Sequence, residues 1–306
     1  MEYTLHQLKV FNAVAKARSI TKAAELLHLT QPAVSIQLKN FQNQFDIPLT
    51  EVVGRQLFVT DFGHEILIAS ERILDEVNQI NHKTQLFKGK LSGLLKISIV
   101  STAKYIMPYF LTDFLAKHEE VTLKMDVTNK STVLKHLEEN LVDFSMVSVL
   151  PSHISVESIS LMKNELYLVC NSHLVPNEPK KHYDLKFLNE IPIIFREEGS
   201  GTRLTAEKFL LSHNMKLTPK LELTSNEAVK QAVLAGLGYS IMPLIGIKNE
   251  VKEGLLKIIP LAKLPITTNW HLVWPKGKNL SPVAGAFLSH IQLSKEQTIY
   301  KQFNMK

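Results

Sequence analysis

Two groups of side chains have the types and spacing to do chemistry. Between residues 30 and 45, Gln31, Ser35, Gln37, Lys39 and Gln42 recur at helical spacing, opposite an apolar stripe of Val34, Leu38, Phe41 and Phe45. Amide, hydroxyl and ammonium groups on one exposed helix face can bond base edges and phosphates, which is the chemistry of nucleic-acid recognition. Farther along, Phe195-Arg196-Glu197-Glu198-Gly199-Ser200-Gly201-Thr202-Arg203 places two glycines and intervening hydroxyls between two arginines. A free backbone at a helix start, with a guanidinium nearby, suits a small anion. Ser101-Thr102 and Thr224-Ser225-Asn226 stand at two further helix starts, where such residues serve either as caps or as ligand contacts.

Signatures of catalysis are missing from the sequence. Gly199-Ser200-Gly201-Thr202 lacks the Gly-Lys-Ser/Thr ending of a phosphate-binding loop. Gly238-Tyr239-Ser240-Ile241-Met242 fails Gly-x-Ser-x-Gly at its last place. The 12 histidines never form His-Glu-x-x-His, so neither a metal site nor any other cofactor is expected. Cys170, the single cysteine, ends an apolar strand and reads as a buried small hydrophobe, which fits a reducing cytoplasm. The expectation is a protein that is not an enzyme.

Elements must hold those groups in place. Leu5, Leu8, Phe11 and Val14 mark a first helix, and a second follows with Thr21 as its expected N-cap. His28-Leu29 is a tight joint, after which Thr30 caps a third helix with Pro32 in its first turn. Two short helices joined by such a turn, the second outwardly polar, describe a helix-turn-helix, although the stripes alone also suit other small helical domains. Gly54 to Thr60 reads as a strand or hairpin wing. Ile66, Ile73, Ile80 and Phe87 then fall seven apart in a long helix, with Ser70 and Thr84 as polar breaks in a dimerising seam. Gly89 to Gly93 is a hinge. Residues 94–306 alternate strand and helix, which argues for an α/β domain with a parallel sheet, large enough for two small sheets across a cleft.

With 306 residues, two or three domains are expected. Net charge is +6, but residues 1–60 carry only six bases against four acids, so charge by itself argues weakly for nucleic acid. The N-terminus lacks the basic start and apolar run of a signal peptide. The longest weakly polar run, Ala232 to Ile247, is broken by Gly, Ser and Pro and falls short of the roughly 20 residues a membrane helix needs.

Phe11-Asn12-Ala13-Val14-Ala15, Ser19-Ile20-Thr21-Lys22-Ala23-Ala24, Leu29-Thr30-Gln31-Pro32-Ala33-Val34-Ser35, Gly54-Arg55 and Thr60-Asp61-Phe62-Gly63 together resemble the LysR-type bacterial transcriptional regulators. The resemblance implies a winged helix-turn-helix DNA-binding domain over 1–61, a linker (dimerisation) helix over 62–90 and a two-subdomain α/β effector domain over 91–306, the last resembling periplasmic binding proteins. It implies a cytoplasmic regulator of promoter DNA, dimeric or tetrameric, answering to a small anionic metabolite. The third helix would enter the major groove, with Gln31 and Ser35 toward bases. Pro32 would lie in its first turn, Thr30, Lys22 and Lys39 near phosphates, and Arg55 in the minor groove. Ser101, Thr102, Arg196, Ser200, Thr202 and Asn226 would border the effector. The family's Leu-Glu is replaced by Phe41-Gln42, a usual Gly by Asp46, and its Leu-Phe-x-Arg by Leu49-Thr50-Glu51-Val52, which removes one basic contact.

Two other classes fit parts of the pattern. An exported solute-binding protein would suit residues 94–306 but not the first 90, and an architectural DNA-binding protein would not need so large an α/β part.

Overall fold

The computed structural model describes residues 3–54, 56–87, 90–176 and 180–303. The chain divides into two compact units, Met1–Lys90 and Leu91–Lys306.

The first unit is built from short capped helices. α1 (Leu5–Ala17) starts in a capping box, Thr4 and Gln7 each satisfying the other's backbone N–H. α2 (Ile20–Leu27) is capped by Ser19, whose hydroxyl accepts from the Lys22 N–H at 3.3 Å. Ser19 has the extended backbone that a cap requires, whereas Thr21, the expected cap, already lies inside the first turn. The helix stops at His28 in a left-handed conformation (φ 54°), and the Leu29 N–H returns to the Ala24 carbonyl at 2.9 Å. α3 (Gln31–Gln42) follows, capped by Thr30 with Pro32 in its opening turn. Phe11, Val14, Ala23, Ala24, Val34, Leu38 and Phe41 form the shared core, the two alanines letting the helices approach closely.

The wing is an antiparallel pair, β1 (Thr50–Val53) and β2 (Gln56–Val59), with Thr50 opposite Val59. It begins before Gly54 because Thr50, Val52 and Val53 are β-branched and favour a strand. Arg55, at the expected wing tip, lies outside the described residues.

α4 (Asp61–Phe87) is capped by Thr60, whose hydroxyl accepts from the Gly63 N–H at 2.9 Å and donates to the Pro48 carbonyl at 2.6 Å. A Cβ at Gly63 would stand 2.0 Å from the Leu49 carbonyl oxygen, so only glycine permits this approach. Ile66, Leu67 and Leu74 pack onto the core of the first unit. Ser70 is buried there too, taking a hydrogen bond from Asn12 Nδ2 at 3.3 Å, which explains the first polar break in the heptad seam. Beyond it, Ile73 and Ile80 are 39% and 64% exposed. The side chains of Thr84 and Phe87, and Gly89 of the expected hinge, lie outside what is described.

The second unit has two lobes. β3 (Gly93–Val100) runs parallel to β4 (Val121–Thr128) on one side and β5 (Phe144–Val147) on the other. α5 (Met107–Lys117) and α6 (Lys130–Glu138) connect these strands. The long β6 (Val156–Asn171) leaves this lobe for the second, where it pairs antiparallel with strands met later in the chain. There β7 (Ile194–Arg196) is followed by α7 (Gly201–Ser212), β8 (Leu221–Leu223), α8 (Asn226–Leu234), β9 (Ser240–Pro243), α9 (Lys248–Lys252) and β10 (Leu256–Ile258). β11 (Ile266–Pro275) returns antiparallel to β6, and α10 (Pro282–Phe303) closes on the first lobe.

Each lobe has its own core. Ile97, Phe110, Phe144, Trp270 and Phe287 fill the first, while Leu166, Leu168, Tyr239, Ile241, Val229 and Val233 fill the second. Instead of two small parallel sheets, seven strands form one mixed sheet in the order β10-β6-β11-β5-β3-β4, with β9 beside β6, because the long β6 and β11 pair antiparallel through both lobes; β7 and β8 form a separate parallel pair. No helix among the described residues is long and apolar enough to cross a membrane.

Candidate DNA-contacting face and effector cleft

On α3, Gln31, Pro32, Ile36 and Lys39 are exposed and Ser35 half-buried, so the groups expected at bases share one face. Thr30, the cap of that helix, is also exposed, as is Lys22 in the first turn of α2. Two features differ from expectation. Gln42 does not point outward: its Oε1 accepts from the N–H groups of Leu49 (2.8 Å) and Thr50 (3.3 Å), and its Nε2 donates to the Ile47 carbonyl at 3.4 Å. The amide thus ties the recognition helix to the wing, so the change from the family's Glu keeps an acceptor and adds a donor. Ile36 is 58% exposed on the polar face, a residue that sequence reasoning passed over. An apolar side chain off the buried stripe was the available signal, and there it can pack on a thymine methyl.

In the second unit, the residues after β3 form a tight turn, Ser101–Tyr105, held against the other lobe. Ser101 Oγ accepts from Arg196 Nη1 at 3.1 Å and from Asn226 Nδ2 at 2.7 Å. Arg196 is buried and gripped by Glu197 through two hydrogen bonds of 2.7 and 2.9 Å, so its charge is neutralised inside the chain. Tyr105 donates to Glu227 at 3.1 Å, and Lys230 binds Glu227 and Glu250 at 3.3 and 2.7 Å. Burial above all pushes the Tyr105 hydroxyl up to about 12. Burial also raises the Glu227 carboxyl, but hydrogen bonds from Gln231, Lys230 and Tyr105 outweigh it and hold the group below its ordinary value. Ser101, Arg196 and Asn226 are therefore brought together, and the first turn of α8 clamps the turn after β3.

A cavity of about 370 Å³ opens between the starts of α6 and α7. Lys130, Ser131, Lys135, Gly199, Ser200 and Arg203 are among its lining residues. Ser200, at the start of α7, makes no side-chain cap, and Thr202 is half-buried in the first turn beside it. Gly199 has φ +85°, and a Cβ there would come within 2.8 Å of Ser131 Oγ. Arg203, the second arginine of the loop, is held by Glu207 at 2.7 Å, Glu222 at 2.5 Å and Glu198 at 3.8 Å. Among the other acids of the cavity, Glu138 pairs with His153 at 3.0 Å. Lys130 differs. Burial and then the charge of Lys208 draw its ammonium below its ordinary value. A lysine on the first residue of a helix opposes the helix dipole. That misfit after the Asn129 cap was legible in the sequence and was missed. Of the six expected effector residues, Ser101, Arg196 and Asn226 form the bonded node and Ser200 lines the cavity, whereas Thr102, buried in the turn after β3, and Thr202 belong to neither group.

Residues 5–64 match the bacterial regulatory helix-turn-helix proteins of the lysR family, and residues 88–294 match the LysR substrate binding domain. The HTH-type transcriptional activator CmpR of Synechocystis is 34% identical over 288 residues, covering 94% of both chains. The chain belongs to the LysR family. The RuBisCO operon transcriptional regulator of Allochromatium vinosum is 36% identical over 290 residues, covering 94% of this chain and 95% of that one. The solved regulatory domain of Synechocystis CcmR, in complex with 2-PG, superposes with TM-score 0.61 at 28% identity, over 70% of this chain and 99% of that one. As a LysR-family protein the chain is a DNA-binding transcriptional regulator with an effector-binding domain.

Proposed function

We propose that this LysR-family chain binds operator DNA through residues 1–61, pairs through a linker helix over 62–90 and senses a small anion through 91–306. The observation that carries the anion is Lys130, a partly buried cation at the rim of a cavity whose carboxylates are engaged by Arg203 and His153. A phosphorylated acid of the 2-phosphoglycolate type, the ligand of the related CcmR domain, has the charge and size for that cavity. Ser200 would contact it, with Thr202 in the turn beside it, and Ser101, Thr102, Arg196 and Asn226 would frame the cleft. Gln31, Pro32, Ser35 and Ile36 would face bases, with Thr30, Lys22 and Lys39 at phosphates and Arg55 in the minor groove. The exposed Ile73 and Ile80 supply the apolar surface for a homodimer, which two half-sites require, and such dimers would join as a tetramer. The reading places the protein in the cytoplasm, without catalysis, metal or cofactor.

A gel mobility shift tests it. The full chain, incubated with DNA from upstream of its own gene, should give a complex that resists random competitor DNA and changes mobility or affinity with 2-phosphoglycolate. A complex displaced equally by random DNA, and blind to phosphorylated and unphosphorylated acids alike, would contradict it.

A further inference from the structure

The wing carries little packing of its own. Glu51, Val52 and Val53 of β1 are exposed and Thr50 is half-buried, so β1 sends no fully buried side chain into the core. Its mate β2 contributes Leu57, with Val59 partly buried beside the same core. What holds β1 against the recognition helix is therefore hydrogen bonding at its start. Residues 43–49 run from α3 to β1 outside helix and strand, so the backbone groups there need other partners. Next to the wing, two residues supply them. Gln42 Oε1 accepts from the Leu49 and Thr50 N–H groups at 2.8 and 3.3 Å, and its Nε2 donates to the Ile47 carbonyl at 3.4 Å. Thr60 donates its hydroxyl to the Pro48 carbonyl at 2.6 Å and its N–H to the Leu49 carbonyl at 3.1 Å. Each backbone polar group from the Ile47 carbonyl to the Thr50 N–H is thus bonded by Gln42 or Thr60. Thr60 stands between the wing and α4, so of the two only Gln42 belongs to the recognition helix.

We infer that Gln42 is a positioning residue for DNA binding: it sets where the wing lies relative to α3, and so whether Arg55 and the α3 face reach their grooves together. The inference rests on the DNA-binding reading proposed above. Two sets of contacts reinforce one another only when their spacing fits the duplex. A contact group held about 1 Å too loosely loses much of its effect. Glutamate in place of Gln42 keeps the acceptor for both N–H groups, whereas methionine, of similar length, offers only a weak acceptor and no donor.

Anisotropy titrations of labelled upstream DNA with the full chain, at fixed salt, test this through paired substitutions. In the parent, Arg55→Ala should weaken binding by about tenfold. In Gln42→Met, shown folded by circular dichroism, the same change should cost less than about twofold, because a misplaced wing has no contact left to lose. Gln31→Ala, on α3 itself, should cost as much in Gln42→Met as in the parent, which a general loss of structure would not allow. Gln42→Glu should restore the full effect of Arg55→Ala. An equal cost of Arg55→Ala in Gln42→Met and in the parent overturns the inference. So does a Gln42→Glu protein indifferent to Arg55→Ala, the result that decides if Gln42→Met does not fold. Either outcome leaves the DNA-binding reading standing, whereas a parent indifferent to Arg55→Ala overturns both the inference and the place given to Arg55.

Discussion

Asn226 Nδ2 lies 2.7 Å from Ser101 Oγ, although 125 residues separate them in sequence. The contact joins the turn after β3 in one lobe to the start of α8 in the other, and Arg196 shares the same acceptor. Ser101→Ala removes the acceptor and leaves two buried donors, which costs about 1–3 kcal/mol. Urea unfolding of the variant should show that loss, and an unchanged midpoint would mean that the node does not hold the lobes.

The outer face of α3 separates two kinds of DNA contact. Gln31→Ala should weaken binding to the operator by about 1–3 kcal/mol while leaving random DNA nearly unaffected. Lys39→Ala should weaken both alike and lower the salt slope by about one. Titrations at several salt concentrations distinguish them, and equal behaviour of the two variants would remove the assignment of roles.

Gly63 and Gly285 make a paired test of close approach. A Cβ at Gly63 would stand 2.0 Å from the Leu49 carbonyl oxygen, whereas at Gly285, inside α10, nothing lies within 4 Å. Gly63→Ala should therefore lower the melting temperature and disturb the wing. Gly285→Ala should raise stability by about 0.5–1 kcal/mol through helix propensity. Thermal melts of both variants check this, and a neutral Gly63→Ala would contradict the packing described.

Burial pushes the Cys170 thiol up to about 11, so the thiolate that reacts with alkylating agents is scarce at neutral pH. Iodoacetamide at pH 8 should leave the native protein unlabelled and label it fully in urea. Rapid native labelling would show that the strand is not buried.

Glu227 sets one side of the pH profile. Its carboxyl is held below its ordinary value of 4.5 in the fold, so its contribution is present above that value and is lost as pH falls through the lower, folded one. Between pH 7 and 3, the melting temperature of Glu227→Gln should fall less steeply than that of the parent. Parallel curves would mean that its hydrogen bonds with Tyr105 and Gln231 do not favour the charged form.

Local signals in the sequence were enough to read the first unit. The Thr30 cap, Pro32, the left-handed His28 and the apolar stripes all point to one arrangement, and the structure follows them. The cap at Ser19 instead of Thr21 is a shift within one turn, where neighbouring hydroxyls compete and backbone conformation decides. In the second unit, the apolar run ending at Cys170 is only the last part of β6, because the first half of that strand alternates and lies partly exposed while its second half is buried. The antiparallel return of β11 depends on pairing across about 100 residues, which no local pattern encodes. The arginines show the same limit: Arg196 and Arg203 read as anion partners, yet Glu197, Glu207 and Glu222 neutralise them at distances only the fold sets. Lys130, at the first residue of α6, has no such carboxylate partner among the described residues and lines the cavity that Glu207 borders.

The most direct measurement is fluorescence anisotropy of labelled DNA from upstream of the gene, titrated with the full chain at fixed salt, with and without 2-phosphoglycolate. The account predicts tight, competitor-resistant binding whose midpoint or final anisotropy shifts with the metabolite, and a shift that Lys130→Ala abolishes while binding persists. Binding no tighter than to random DNA, or a response that survives Lys130→Ala undiminished, would contradict it.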